Sequence, residues 1–156
     1  MRIGLALAAL ALVADRIVKV WLVDLVSERG PMAVTSFFNV VYVRNTGISF
    51  SLFSSSGLWG RWLLVALSLA IVLALFVWLR RAQSGWLATA LGLIIGGALG
   101  NALDRLFFGA VGDFFDFHAF GYHWPAFNVA DMAIFGGAAF VILDGFAFRR
   151  GQGSTR

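Results

Sequence analysis

The chain of 156 residues contains no cysteine. A thiol nucleophile, a thiolate metal site and a disulfide are therefore excluded, and redox chemistry is not expected. Charge is also scarce: 13% of residues are Asp, Glu, Lys or Arg against 60% hydrophobic, and the mean hydropathy is +0.86. That balance excludes an ordinary soluble domain and indicates a single compact membrane domain over residues 1–156. No internal repeat is present. The formal net charge of +4 does not mark a nucleic-acid binder, because the basic residues cluster beside apolar segments instead of forming a solvated stripe.

Long apolar runs are what the chain has in abundance. A helix needs about 20 such residues to cross a hydrocarbon core, and four windows supply them: roughly Ile3 to Val26, Gly60 to Leu79, Trp86 to Phe108 and Pro125 to Phe148. The expected fold is an all-α membrane protein of four transmembrane helices. The first window also has the form of a secretory signal, with Arg2 before a short apolar run and Ala9-Leu10-Ala11 as a cleavage site. Its apolar pattern resumes beyond Asp15, Arg16 and Lys19 through Val20, Trp21, Leu22, Val23 and Leu25, so the segment is expected to stay.

Arg2, Arg80, Arg81, Arg149, Arg150 and Arg156 fall on one side of a four-span arrangement, which predicts that both termini are cytoplasmic. The other side mixes Arg29, Arg44 and Arg61 with Asp24, Glu28, Asp113 and Asp116. All six tryptophans fall near predicted span ends, where amphipathic rings prefer to sit.

Between the first two spans lies a long outer segment. Val40-Val41-Tyr42-Val43 and Ile48-Ser49-Phe50-Ser51-Leu52-Phe53 flank Asn45-Thr46-Gly47, which predicts a small extracytoplasmic β-ribbon over about 34–56 with a hairpin turn at those three residues. The second outer loop, Gly109 to Trp124, is rich in Phe and Gly and is expected to lie against the interface.

Ionisable side chains within a bilayer are costly, so each is a functional candidate. Asn101, Asp104 and Arg105 fall in the outer part of the third span, Asn128 and Asp131 in that of the fourth. At 1.5 Å per residue, Asp131 lies about 9 Å below Pro125 and Asp104 about 6 Å below Phe108. The spacing gives each helix one polar face. Gly92, Gly96, Gly97, Gly100, Gly136 and Gly137 would let the backbones approach. Asp104 and Arg105 are read as a neutralising salt bridge within the scaffold. Asp15 and Lys19 form an i, i+4 pair, with Arg16 and Lys19 reaching toward an interface. Asp144 is read as charge balance beside Arg149 and Arg150, and Asp116 as a solvent-facing carboxylate.

Asp113 and Asp131 lack a basic residue at helical spacing. Two carboxyls close together in a poorly hydrated site cannot both ionise readily, so one holds a proton while the other stays charged. Such a pair can deprotonate an attacking water and protonate the departing amine of an amide. Competing designs fit less well. No serine is paired by motif with Lys19, and His118, His123 and Asp116 lack a metalloprotease helix signature. An ion path would spread its acids through the bilayer. Ala110-Val111-Gly112-Asp113 is not the Gly-x-Gly-Asp motif of other intramembrane aspartic proteases.

Three blocks carry a resemblance: Gly96-Gly97-Ala98-Leu99-Gly100-Asn101-Ala102-Leu103-Asp104-Arg105, Val111-Gly112-Asp113-Phe114 and Phe127-Asn128-Val129-Ala130-Asp131. Together they closely resemble the bacterial type II, or lipoprotein, signal peptidases, and the match extends from end to end. The resemblance implies an aspartic endopeptidase of the bacterial inner membrane, with Asp113 and Asp131 catalytic at the outer leaflet and Asn101, Asp104, Arg105 and Asn128 supporting the site. It implies diacylglyceryl-modified prolipoproteins as substrates, cut just before the lipidated cysteine, with membrane lipids as surroundings. Globomycin is the implied inhibitor, and no metal, cofactor or nucleic acid is implied. Two blocks depart from the family pattern. Asp15-Arg16 stands where Asp-Gln is usual before Lys19, and Asn45-Thr46-Gly47-Ile48-Ser49-Phe50-Ser51 stands where Asn-x-Gly-Ala-Ala-Phe-Ser is usual. Asp15, Lys19, Asn45 and Gly47 are nevertheless expected to support the site or bind substrate.

Overall fold

The computed structural model of the chain describes residues 1–47 and 57–153. Among these residues four long helices and four strands follow in the order α1 (Arg2–Arg29), β1 (Met32–Thr35), β2 (Phe38–Asn45), α2 (Gly57–Arg80), α3 (Gly85–Phe108), β3 (Val111–Ala119), β4 (Tyr122–His123) and α4 (Val129–Gly153). Two helices, Trp59–Arg80 and Gly85–Phe108, are long and apolar enough to cross a membrane, with mean hydropathies of 2.7 and 1.6. The interior of α1 carries Asp15, Arg16 and Lys19, and α4 carries Asp131 and Asp144.

The helices follow from local chemistry. Ser84 starts α3, its Oγ accepting the Leu87 N–H at 2.9 Å, the usual use of a short hydroxyl side chain at a helix N-cap. The same hydroxyl donates to Asp144 at 3.0 Å, tying the start of α3 to α4. This is a partner the charge-balance reading of Asp144 did not contain. Gly109 ends α3 with φ of 78° and donates to the Arg105 carbonyl, a left-handed conformation that glycine adopts without a Cβ clash.

α3 is central and packs on α1, α2 and α4. It carries small residues where neighbours come close. A Cβ at Gly92 would run into the backbone of Gly4 in α1, and one at Gly97 into that of Ala130 in α4. Large apolar residues of α2, including Leu63, Leu67, Leu69 and Leu73, instead face outward.

The β-structure is larger than the sequence predicts. One four-stranded antiparallel sheet runs in the order β1-β2-β3-β4, combining both outer segments. The turn between β1 and β2 falls at Ser36 and Phe37, because Thr35 pairs with Phe38. Beyond it, β2 takes β3 as its second partner, with Asn45 opposite Val111. The expected ribbon partner of Asn45-Thr46-Gly47, residues 48–53, lies outside the described residues. The fourth helix also begins later than expected, at Val129 rather than Pro125. Phe127 is bonded to β3 instead, its carbonyl accepting the N–H groups of Phe114 and Phe115 at 3.0 and 2.9 Å and its own N–H reaching the Phe115 carbonyl. Asp131 therefore sits in the first helical turn, not about 9 Å down a span.

Candidate active site

Asp113 is the third residue of β3 and Asp131 the third of α4, and one asparagine joins them. Asn128 precedes α4. Its side-chain oxygen accepts the Asp131 N–H at 2.9 Å while the Asp131 carboxylate accepts the Asn128 N–H at 3.1 Å. This is a reciprocal capping box, which satisfies two amides at the helix start. The Asn128 amide group also donates to Asp113 at 2.6 Å and to the Gly112 carbonyl at 3.2 Å. A single side chain thus binds one aspartate directly and fixes the backbone of the other.

Each carboxylate has a second donor. Asn45, at the end of β2, donates to the other Asp113 oxygen at 3.0 Å. Asn101, in α3, donates to Asp131 at 2.8 Å. The Asn101 oxygen in turn accepts from Asn128 at 3.2 Å and from Lys19 at 3.3 Å. Burial pushes the Asp113 carboxyl from its ordinary 3.8 up to about 6; the Asn45 hydrogen bond opposes that, and the negative charge of Asp131 adds to it.

Beneath the carboxylates lies a buried charge cluster. Lys19 reaches Asp15 at 2.9 Å and Asp104 at 2.7 Å, while Arg16 pairs with Asp104 and stands 3.5 Å from Asp15. Two cations meet two anions, so the cluster is neutral. Asp104 is therefore paired with α1, not with Arg105. Lys19 is buried rather than reaching toward an interface. Adjacency in sequence put Arg105 next to Asp104, but the cluster already satisfies that carboxylate, and Arg105 turns to the carbonyls of Gly47 at 2.7 Å and Asn101 at 3.4 Å. The Arg105 Nε–H meets no acceptor among the described residues. Gly47 also donates its N–H to the Asn45 side chain at 3.1 Å.

Asp15 has a second task. Its carboxylate accepts the Ala130 N–H at 2.9 Å, so α1 caps the helix that carries Asp131. Gly100 makes the room: a Cβ there would stand 2.8 Å from the Asp15 carboxylate. The sequence reading missed both Ala130 and Gly100 as contributors to the site. It also missed the role of Arg16, whose position as an intruder in a familiar motif was the available signal.

Asp116 is buried, contrary to expectation. It accepts from Asn39 at 2.9 Å and from His123 Nδ1 at 2.8 Å. Burial pushes this carboxyl up, but those hydrogen bonds and the charges of His123 and His118 outweigh it and leave Asp116 below its ordinary value. No cluster of three or more candidate metal ligands occurs among the described residues. Asp113, Asp131, Asn101, Asn128, Lys19 and Asn45 are joined by hydrogen bonds, with Asp15, Asp104, Arg105 and Gly47 at its border.

The arrangement offers one buried and one half-buried carboxyl, Asp113 and Asp131, at the junction of a sheet and three helices, and burial raises the affinity of Asp113 for protons. Comparison with known proteins bears on what it does. Residues 7–147 match the protein family described as signal peptidase (SPase) II. The lipoprotein signal peptidase of Beijerinckia indica is 50% identical over 145 residues, covering 92% of this chain and 86% of that one. That of Methylocella silvestris is 44% identical over 154 residues, covering 97% and 90%. Among solved structures, a bacterial membrane enzyme determined by the in meso method at 2.3 Å resolution shares the fold with a TM-score of 0.77 at 24% identity, covering 98% of this chain and 91% of that one.

Proposed function

The chain belongs to the signal peptidase II family, the lipoprotein signal peptidases, and from that membership we propose that Asp113 and Asp131 are its catalytic pair. The observation that carries the proposal is Asn128, which holds both carboxyls through one residue. The ionised member takes a proton from water as the water attacks the scissile carbonyl. The protonated member polarises that carbonyl and then supplies the proton to the departing amine. The pair titrates as a unit. No covalent intermediate is required.

Around this chemistry we place a single integral domain of four spans, with both termini cytoplasmic and the aspartates at the outer leaflet of the inner membrane. The support is the charge pattern of the connections and the outward-facing apolar residues of α1 and α2. The substrate is a prolipoprotein cut before its diacylglyceryl-cysteine, a scissile bond that lies near the headgroups because its lipid stays in the bilayer. Arg105, bonded to the carbonyls of Gly47 and Asn101 beside the aspartates, helps to position the substrate chain. Globomycin competes for the same site.

Cleavage of one prolipoprotein, with and without its diacylglyceryl group, tests the reading. Purified wild type should cut the lipidated form alone, and folded Asp113→Asn and Asp131→Asn variants should be inactive. Near-normal activity in either variant would remove that aspartate from the mechanism, and efficient cutting of unlipidated substrate would remove the lipid requirement.

A further inference from the structure

The end of the sheet farthest from the aspartates has a surface that the peptidase chemistry does not use. Ala119 pairs with Tyr122 across a two-residue turn in which Phe120 has φ of 51° and Gly121 of 82°. Positive φ at both positions is the type I′ geometry of tight hairpins. Glycine adopts it freely, whereas a bulky aromatic is disfavoured there. Yet Phe120 is fully exposed at 102%, followed by Tyr122 at 84% and Trp124 at 65%.

The rest of the hairpin sharpens the anomaly. From Phe117 to Ala130 the sequence contains no Asp, Glu, Lys or Arg. β4 is an edge strand, and edges that face water are normally protected by charge. Phe37 and Phe117 continue the exposed surface, their rings 6.4 Å apart. An open hollow of about 420 Å³ separates that pair from Tyr122 and Trp124. The row then runs inward without a break: Phe117 lies 4.9 Å from Phe38 and 5.9 Å from Phe127. Phe38 and Phe115 close it against Leu22 and Val26 at the end of α1. The aromatic surface is thus anchored on the buried apolar core between α1 and the sheet, and its Tyr, Trp and His side chains have the amphipathic character favoured at headgroup level.

We propose that the β3–β4 hairpin is a membrane-insertion surface: Phe120 enters the outer leaflet at the boundary of headgroups and acyl chains, and lipid fills the hollow between Phe37 and Trp124. Lipid accounts for both anomalies, the disfavoured aromatic turn and the uncharged edge. The sheet that carries Asp113 is then held at fixed depth by its far end as well as by its helices. This inference rests on the outer-side placement proposed above.

The absence of native cysteine makes the test direct. Single variants Phe120→Cys and Tyr122→Cys, the second leaving Phe120 in place, receive a nitroxide label in the full chain. The protein is reconstituted in phosphatidylethanolamine and phosphatidylglycerol vesicles. Leu73→Cys, on the outward face of α2, is the lipid reference, and Glu28→Cys, at the exposed end of α1, the water reference. Collisions with oxygen, which partitions into lipid, are compared with those of a water-soluble nickel chelate. Labels at 120 and 122 should be several-fold more shielded from nickel than the label at 28. Nickel access equal to that at 28 would overturn the proposal. So would shielding that arises only on adding a lipidated prolipoprotein, or spin–spin broadening between copies, since those outcomes identify substrate or a second chain as the occupant. If the label at 73 reports lipid while that at 120 reports water, insertion fails and the membrane reading survives.

Discussion

At the scale of single residues, the two aspartates do not share one environment. Asp113 binds protons more tightly in the folded chain than in the unfolded one, about 6 against 3.8. A raised carboxyl contributes its full share of stability below the unfolded value and loses it as pH rises through the folded value. Between pH 4 and pH 7 wild type should therefore lose on the order of 2–3 kcal/mol from this group. Asp113→Asn should lack that loss, so thermal unfolding in detergent should show the variant gaining on wild type as pH rises; an unchanged gap would contradict it. Gly100→Ala adds a methyl 2.8 Å from the Asp15 carboxylate. The displaced capping bond should shift Asp131 and lower cleavage on the order of 10²-fold, in protein whose helix content is unchanged. Both aspartates and their asparagines were legible from polar side chains in apolar runs and from motif blocks. The partners of Asp104 and Asp116 were not, because local spacing offers Arg105 and open solvent, whereas the actual partners come from residues 88 and 77 positions away.

At the scale of elements, the end of α3 repays attention. Its terminal carbonyls would lack partners, but Arg44 from β2 donates to the Phe108 carbonyl at 2.9 Å and Arg61 from α2 to the Leu106 carbonyl at 2.6 Å. Two guanidinium groups also complement the negative end of the helix dipole. Arg44→Ala and Arg61→Ala should each lower stability by about 1 kcal/mol, measurable as a fall in Tm. The sequence shows these arginines only as outer-side charges that weaken a simple count. Helices were legible because their apolar runs are continuous. β3 was not, because a strand containing Gly112, Asp113 and Asp116 has no clean alternation and depends on β2, more than sixty residues earlier. The start of α4 was displaced for a related reason: Phe127 and Asn128 are apolar-flanked and helix-compatible, but hydrogen bonds to β3 claim them first.

At the scale of the whole molecule, a central small-residue helix gathers its three neighbours, and α2 leaves most of its apolar surface exposed. A fluorescent protein that matures only in the cytoplasm, fused after Arg156, should light up in cells; darkness would invert the proposed topology. The meeting of α1 with the rest has a consequence for biosynthesis. Arg16 and Asp104 are 88 residues apart, and Asp15 and Ala130 are 115 apart. At about 5–20 residues per second, the first helix to leave the ribosome waits roughly 5–20 seconds before Asp104, the second anion of the cluster, exists to balance Arg16 and Lys19. Through that interval α1 is a provisional passenger, too charged to rest deep in lipid, while α2 can insert unaided. Chains arrested before Asp104 is made should leave Ile17→Cys open to an impermeant maleimide, and release of synthesis should close it. The helix made first should therefore reach its final place only after the third has been made.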